Sequence, residues 1–235
     1  MWLWGVHPVD AGLKNPSRTI LDGRITRNAA IKLELDPDHP PTPFRLVEPR
    51  EIDDMLPPGA VHQGVAVRAR ELDGDTLEGV ILGRQGPLVI LDQVTDPQNV
   101  GAVFRSAAAF GAKGVVMQTR KSPPLSGALA KAAVGAIETV PEIPAVNIAR
   151  AVDALAEAGW WVVGLDGESE TSLREAFETP APIAIVLGAE GPGMRPAVAK
   201  ACSQLARIPM SPDMESLNVS NAAAIALYEA FVRHS

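Results

Sequence analysis

From residue 87 onward the chain repeats one pattern, a short apolar run followed by a stretch able to form a helix. The apolar runs are residues 88–91, 114–118, 160–165, 183–187 and 205–210, and several are continuous rather than alternating. A strand that alternates hides one face, whereas a strand apolar at every position must be covered on both. Helical stretches fall at 100–110, 125–134, 145–158, 172–177 and 195–201. Strands alternating with helices predict an α/β fold, a parallel sheet with helices on both faces. In such sheets the chemistry sits in loops at the carboxyl ends of strands.

Three strand ends carry polar or glycine-rich sequence. The first reads Asp92-Gln93-Val94-Thr95-Asp96-Pro97-Gln98-Asn99-Val100-Gly101 and leads into a helix bearing Arg105. The second reads Gly188-Ala189-Glu190-Gly191-Pro192-Gly193-Met194. Its glycines are spaced G-x-x-G-x-G late in the chain, which is not a dinucleotide fingerprint, and no Lys-Ser or Lys-Thr follows to make a P-loop. They let backbone approach a ligand, or simply make a tight strand-to-helix turn. The third follows Met210 and contains Ser216 and Asn218.

The third strand end feeds a helix over 219–231 in which Val219, Ala222, Ala223, Ile225, Ala226, Tyr228, Ala230 and Phe231 cover almost the whole circumference. A solvated surface helix does not tolerate that. It predicts burial against its own domain on one side and a second chain on the other.

The first third of the chain mixes short elements: strands at 2–4, 19–25, 44–47 and 62–70, and helices at 8–13 and 51–56. A proline-rich loop covers 35–43. In the last strand Val65 and Val67 face one way, Ala66 and Arg68 the other. Polar sequence after Arg70 and the run Gly83-Arg84-Gln85-Gly86-Pro87 bracket a linker, so the expected division is 1–72, a linker at 73–86, and 87–235. Arg18, Arg24, Arg27 and Lys32 read either as a phosphate-gripping patch or as a solvated face. His7 and His62 have no metal-spaced companion and read as structural.

With 235 residues, 46% of them hydrophobic, the chain can bury a full core. Its net charge of -7 gives no overall attraction to nucleic acid or anionic membrane, so any RNA contact must be local. Cys202, the one cysteine, sits among Ala197, Ala199, Ala201 and Leu205 as a core residue and points to a reducing, cytoplasmic setting. Neither a signal peptide nor a membrane span is expected.

Together the three strand ends resemble the SpoU or TrmH-type RNA ribose methyltransferases of the SPOUT superfamily. The likeness rests on Asp96-Pro97-Gln98-Asn99-Val100-Gly101-Ala102-Val103-Phe104-Arg105-Ser106, on Ile185-Val186-Leu187-Gly188-Ala189-Glu190-Gly191-Pro192-Gly193-Met194, and on Ile208-Pro209-Met210 with Ser216-Leu217-Asn218-Val219-Ser220. Similarity at Lys131-Ala132-Ala133-Val134-Gly135-Ala136-Ile137-Glu138, Gly5-Val6-His7-Pro8-Val9 and Ala60-Val61-His62-Gln63-Gly64-Val65 points to the RlmB-like branch, which acts on guanosine in large-subunit rRNA.

The resemblance implies an N-terminal RNA-binding domain with an L30e-like α/β fold over 1–72 and a methyltransferase domain with a deep trefoil knot over 87–235. It implies S-adenosylmethionine as cofactor, 23S rRNA as substrate, a homodimer that completes the active site, and no metal. A tRNA ribose methyltransferase, or a non-catalytic RNA-binding dimer of the same fold, stays open beside it. By the same resemblance Asn99, Arg105, Glu190, Ser216 and Asn218 form the catalytic set. Leu187, Gly188, Glu190, Gly191, Ile208, Met210, Ser216, Leu217 and Asn218 hold the cofactor. A guanidinium is a poor base near neutrality, so Arg105 is expected to act electrostatically, with Glu190 an alternative base or an orienting partner for Arg105.

Overall fold

The computed structural model describes residues 1–83, 86–211 and 213–234. The chain forms two compact units, Met1–Asp73 with Pro124–Thr139, and Gly74–Pro123 with Val140–Ser235. Residues 124–139, expected in the second domain, thus cluster with the first.

The first unit starts with β1 (Trp2–Trp4), α1 (Val6–Lys14), β2 (Ile20–Ile25), α2 (Arg27–Lys32), β3 (Phe44–Leu46), α3 (Pro49–Asp53) and β4 (Val65–Ala69). Its sheet has the order β1-β4-β2-β3, antiparallel except between β2 and β3. Helix α2 is too short to show a period, and only its cap marks it: the Thr26 hydroxyl accepts from the Ala29 N–H at 3.3 Å. Glu48, Pro49 and Glu51 start α3 with a capping box and a proline at its first position.

Along β4 the side chains alternate as expected, but burial does not follow. Val65, Val67 and Ala69 are buried, and so is Ala66, which packs with Trp4, Ile52 and Leu56; Arg68 alone is exposed. Helix α3 therefore covers half of the sheet's outer face. His62 is structural: its Nε2 lies 3.0 Å from Asp53 Oδ1 and its Nδ1 accepts from the Gly64 N–H.

The remaining elements are α4 (Leu77–Gly83), β5 (Leu88–Asp92), α5 (Pro97–Ala109), β6 (Gly114–Gln118), α6 (Gly127–Ala133, in the first unit), β7 (Glu142–Ala145), α7 (Ile148–Glu157), β8 (Trp161–Leu165), α8 (Leu173–Ala176), β9 (Ile183–Gly188), α9 (Pro196–Ala201), β10 (Gln204–Ala206) and α10 (Val219–His234). The second sheet is parallel throughout, in the order β10-β8-β9-β5-β6-β7. Leu88, Ile90, Val116, Ile143, Val162 and Val186 pack on one side against Val80 of α4, Ile148 and Val152 of α7, and Val198 of α9. On the other side α10 lies against α5 and β9.

Three expectations change here. Within the expected linker, residues 77–83 form α4 and bury Val80, while residues 84–85 lie outside the described residues. Strand β7 was expected as loop and helix start; its Pro144 suits an edge strand, where a missing N–H leaves no partner unpaired. Strand β10 ends at Ala206, so Ile208 and Met210 are irregular chain. On α10, Val219, Ala223, Ala226, Leu227 and Ala230 are buried within the chain, whereas Ile225, Tyr228, Phe231 and Val232 are exposed.

Arg18 does not belong to a surface patch. Its side chain and that of Glu138 are only 2% and 3% exposed and form an ion pair at 2.8 Å. The Arg18 Nε donates to Glu138 Oε2 at 3.0 Å, and Asn15 Nδ2 donates to the same oxygen at 2.9 Å. Arg24 and Arg27 are likewise paired, with Asp22 and Asp38. A buried charge that loses its partner typically costs about 3 to 5 kcal/mol, while replacing both partners by apolar groups is often neutral. Arg18→Met should therefore lower unfolding stability in urea by about 3 to 5 kcal/mol, and Arg18→Met with Glu138→Met should recover most of that. A single variant within about 1 kcal/mol of wild type would contradict the assignment.

Candidate active site

The sheet order places the carboxyl ends of β5, β9, β8 and β10 side by side. The first loop is set by Asp96, whose Oδ1 accepts from the Gln98 N–H at 3.0 Å while Pro97 opens α5. That cap puts Asn99 in the first turn of the helix. Residues 188–194 form the second loop, a closed turn in which the Gly193 N–H donates to the Ala189 carbonyl at 2.9 Å and Gly191 and Gly193 adopt positive φ. A Cβ at Gly188 would meet the Gly193 and Met194 backbone at 2.2 Å, so this glycine is required by the loop's own fold.

Asp92 holds the far end of that loop. Its carboxylate is fully buried and accepts from the Arg195 N–H at 2.8 Å, from Nε at 2.8 Å and from Nη2 at 2.6 Å. Asp92 is also the residue opposite Gly188 in the β5–β9 ladder, so the two ends of the loop meet at one residue. Cys202 lies close by; burial first, and the Asp92 charge second, push its thiol up to about 12. It is a protonated, partly buried group packed against the core, not a nucleophile.

Glu190 joins all three loops. Its Oε1 accepts from Asn218 Nδ2 at 2.6 Å, from Asn99 Nδ2 at 3.1 Å and from the Val219 N–H at 3.4 Å. Asn218 Nδ2 also donates to Asn99 Oδ1 at 2.9 Å, and Asn218 Oδ1 accepts from the Ser220 hydroxyl and N–H. These bonds order the start of α10. Beside them opens a cleft of about 620 Å³ whose walls include Leu187, Gly188, Glu190, Gly191, Ile208, Met210, Ser216, Leu217 and Asn218. Each residue expected to touch the cofactor thus lines one cavity.

Arg105 stands apart. It is exposed on α5, does not line the cleft, and has no hydrogen-bonding or charged partner among the described residues. It lies six residues beyond Asn99, about 9 Å along the helix axis and turned to a different side. Within one chain Glu190 therefore does not reach it, and the Glu190 carboxylate is engaged by the two asparagines. Sequence reasoning also missed a fourth strand end, Leu165-Asp166-Gly167-Glu168 after β8, which forms part of the cleft wall. The signal was the same as for the other three, a polar and glycine-bearing segment directly after an apolar run. Asp92 and Arg195 were missed because their partnership spans 103 residues.

A model of the SpoU rRNA Methylase family matches residues 86–228. The chain is 37% identical over 243 residues to the 23S rRNA (guanosine-2'-O-)-methyltransferase RlmB of Vibrio cholerae serotype O1, covering 97% of this chain and 95% of that one. To the protein of the same name from Ralstonia nicotianae it is 43% identical over 177 residues, covering 74% and 71%. The fold is similar to that of the SpoU methyltransferase AviRb from Streptomyces viridochromogenes in complex with AdoMet, with a TM-score of 0.81 at 22% identity over 100% of this chain and 90% of that one. It is also similar to an AdoMet-bound rRNA methyltransferase from Sinorhizobium meliloti, with a TM-score of 0.80 at 24% identity over 99% and 87%. The three loops joined at Glu190 lie within the matched span, and the chain belongs to the SpoU rRNA methylase family.

Proposed function

We propose that this protein transfers a methyl group from S-adenosylmethionine to the ribose 2'-oxygen of a guanosine in 23S rRNA. The observation that carries the reading is the Asn99–Glu190–Asn218 network, which joins the three family motifs beside one cleft. The cleft suits the cofactor: its volume lies within the range of small-molecule sites, Leu187, Ile208 and Leu217 offer apolar walls, and the glycine loop offers backbone groups at its edge. Relatives matched almost end to end are named for 23S rRNA, which favours rRNA over tRNA. A cytoplasmic site of action goes with that substrate. The presence of both Arg105 and Asn218 favours an enzyme over a non-catalytic dimer.

Two finer features of the fold belong to the same reading. The first unit is an L30e-like RNA-binding domain. In the second, the chain after β10 is threaded through the loop after β8 as a trefoil knot. In support, Arg207 bridges to Ser172 and its N–H donates to the Thr171 carbonyl, while the Asp166 N–H donates to Ala206. The chain leaves the sheet's edge at 207, and α10 lies against β9.

The bound cofactor supplies an electrophilic methyl on a sulfonium. Asn99, Glu190 and Asn218 keep the three loops in register around it, and Ser216 offers a hydroxyl at the cleft wall. The ribose 2'-hydroxyl needs help to lose its proton as its oxygen attacks. Arg105 grips the target phosphate and stabilises the negative charge developing on that oxygen, while the proton passes to phosphate or water. Because Arg105 lies outside its own cleft, it serves the cleft of a second copy in a homodimer. No metal is needed for these steps.

The exposed side of α10 supplies the interface. Tyr228 and Val232 are 54% and 52% exposed, and Phe110 at the end of α5 stacks edge-on to Tyr228 at 5.8 Å. A charge at the buried Ala226 would disturb the chain's own core, so Tyr228→Glu is the cleaner probe. It should weaken dimerisation at least about 100-fold, roughly 3 kcal/mol, as read by light scattering across a dilution series. A dimer of unchanged affinity would contradict this interface.

Arg105→Ala should slow methyl transfer about 100 to 1,000-fold, roughly 2.7 to 4 kcal/mol, in single-turnover assays on 23S rRNA. Its affinity for S-adenosylmethionine by calorimetry should stay close to wild type, and Arg105→Lys should retain part of the rate. Wild-type turnover in Arg105→Ala, or a loss explained by cofactor affinity alone, would overturn the role.

A further inference from the structure

The outer face of the first unit's sheet is only half covered. By register, Trp2 lies opposite Arg68, Arg68 opposite Asp22, and Arg24 opposite Arg45, so these five side chains stand on one face. Helix α3 covers the neighbouring end of that face, over Trp4 and Ala66, with the half-buried Trp2 packed at the edge of that cluster. Arg68 is exposed and the Arg45 side chain is 73% exposed. Arg24 is held by Asp22 at 2.6 Å, with Arg45 Nε 4.0 Å from the same carboxylate. The Arg24 hydrogen bond holds the Asp22 carboxyl below its usual range, so it stays ionised as a fixed anchor.

Three guanidinium groups against one carboxylate, beside a half-buried indole, form a cationic patch on a chain whose net charge is -7. A general affinity for polyanions does not explain such a patch, because the rest of the molecule opposes it. Planar guanidinium forks match phosphate oxygens, and an aromatic ring at the edge of a basic sheet suits an unstacked base.

We infer that this open face, with Arg24, Arg45 and Arg68 at its centre, is where the first unit grips the sugar-phosphate backbone of the substrate RNA. The inference rests on the RNA-methylating reading above and adds the surface that reading leaves undefined. Phosphate contacts position a nucleic acid without reading its sequence, so this face sets register and affinity while the choice of nucleotide is made at the cleft.

The test uses the full-length protein and a 23S rRNA fragment that the wild type methylates, with affinity measured by fluorescence anisotropy over a salt series. Arg45→Ala with Arg68→Ala should weaken binding and make the plot of log affinity against log salt shallower by about 0.7 per arginine. Affinity for S-adenosylmethionine and the single-turnover rate at saturating RNA should not change. Lys14→Ala is the control, since α1 packs on the opposite face, where Gly12 lies against Leu3. Unchanged RNA affinity and slope in the double variant, or an equal loss in Lys14→Ala, would overturn the surface and leave the methyl-transfer reading intact. Tighter binding of polyglutamate than of RNA would assign the face to an acidic protein and overturn it as well. A wild type that binds no RNA would overturn both.

Discussion

A carboxylate with no access to water must find its hydrogen bonds within the protein or give up its charge. Asp92 finds them in the backbone and guanidinium of Arg195, and everything at the carboxyl edge of the second sheet follows from that clamp. The clamp closes the glycine loop on itself, because Asp92 lies opposite Gly188 where the loop begins and grips Arg195 where it ends. With both ends fixed, Glu190 is carried to a defined point above the sheet. From there its carboxylate reaches Asn99 at the start of α5 and Asn218 at the start of α10. One buried charge therefore fixes the loop, and one exposed carboxylate uses the fixed loop to align two helices.

This arrangement separates two duties. The polar residues at the centre of the site, Asn99, Glu190 and Asn218, spend their hydrogen-bonding capacity on one another and on backbone, which is how a site is preorganised. Among the described residues Arg105 has no such engagement and remains available to an incoming anion. The electrostatics of the whole chain agree with this division: an acidic molecule gains little from long-range attraction to RNA, so binding has to come from a few unopposed cations.

Much of the second unit was legible because its strands β5, β6 and β9 are unbroken apolar runs, and only a strand buried on both faces reads that way. Strand β7 escaped because Pro141 and Pro144 interrupt its pattern and an edge strand needs fewer apolar positions. The residues around the cleft were legible as polar or glycine-bearing segments after strands, and by resemblance. Their mutual contacts were not, since Asn99 and Asn218 are 119 positions apart. Arg18 misled for a related reason: arginine is seldom buried, and the residue that permits it, Glu138, is 120 positions away. Position along the chain could locate Arg105 but not what it faces.

On the proposed function, the cleft, the network and Arg105 serve one reaction at one guanosine ribose. Quantitative mapping of 2'-O-methylation across total RNA, compared between cells with and without this protein, tests it most directly. One guanosine in 23S rRNA should lose its methyl group in the cells without the protein; wild-type protein should restore it and Arg105→Ala should not. An unchanged 23S rRNA profile, or a loss confined to tRNA, would contradict it.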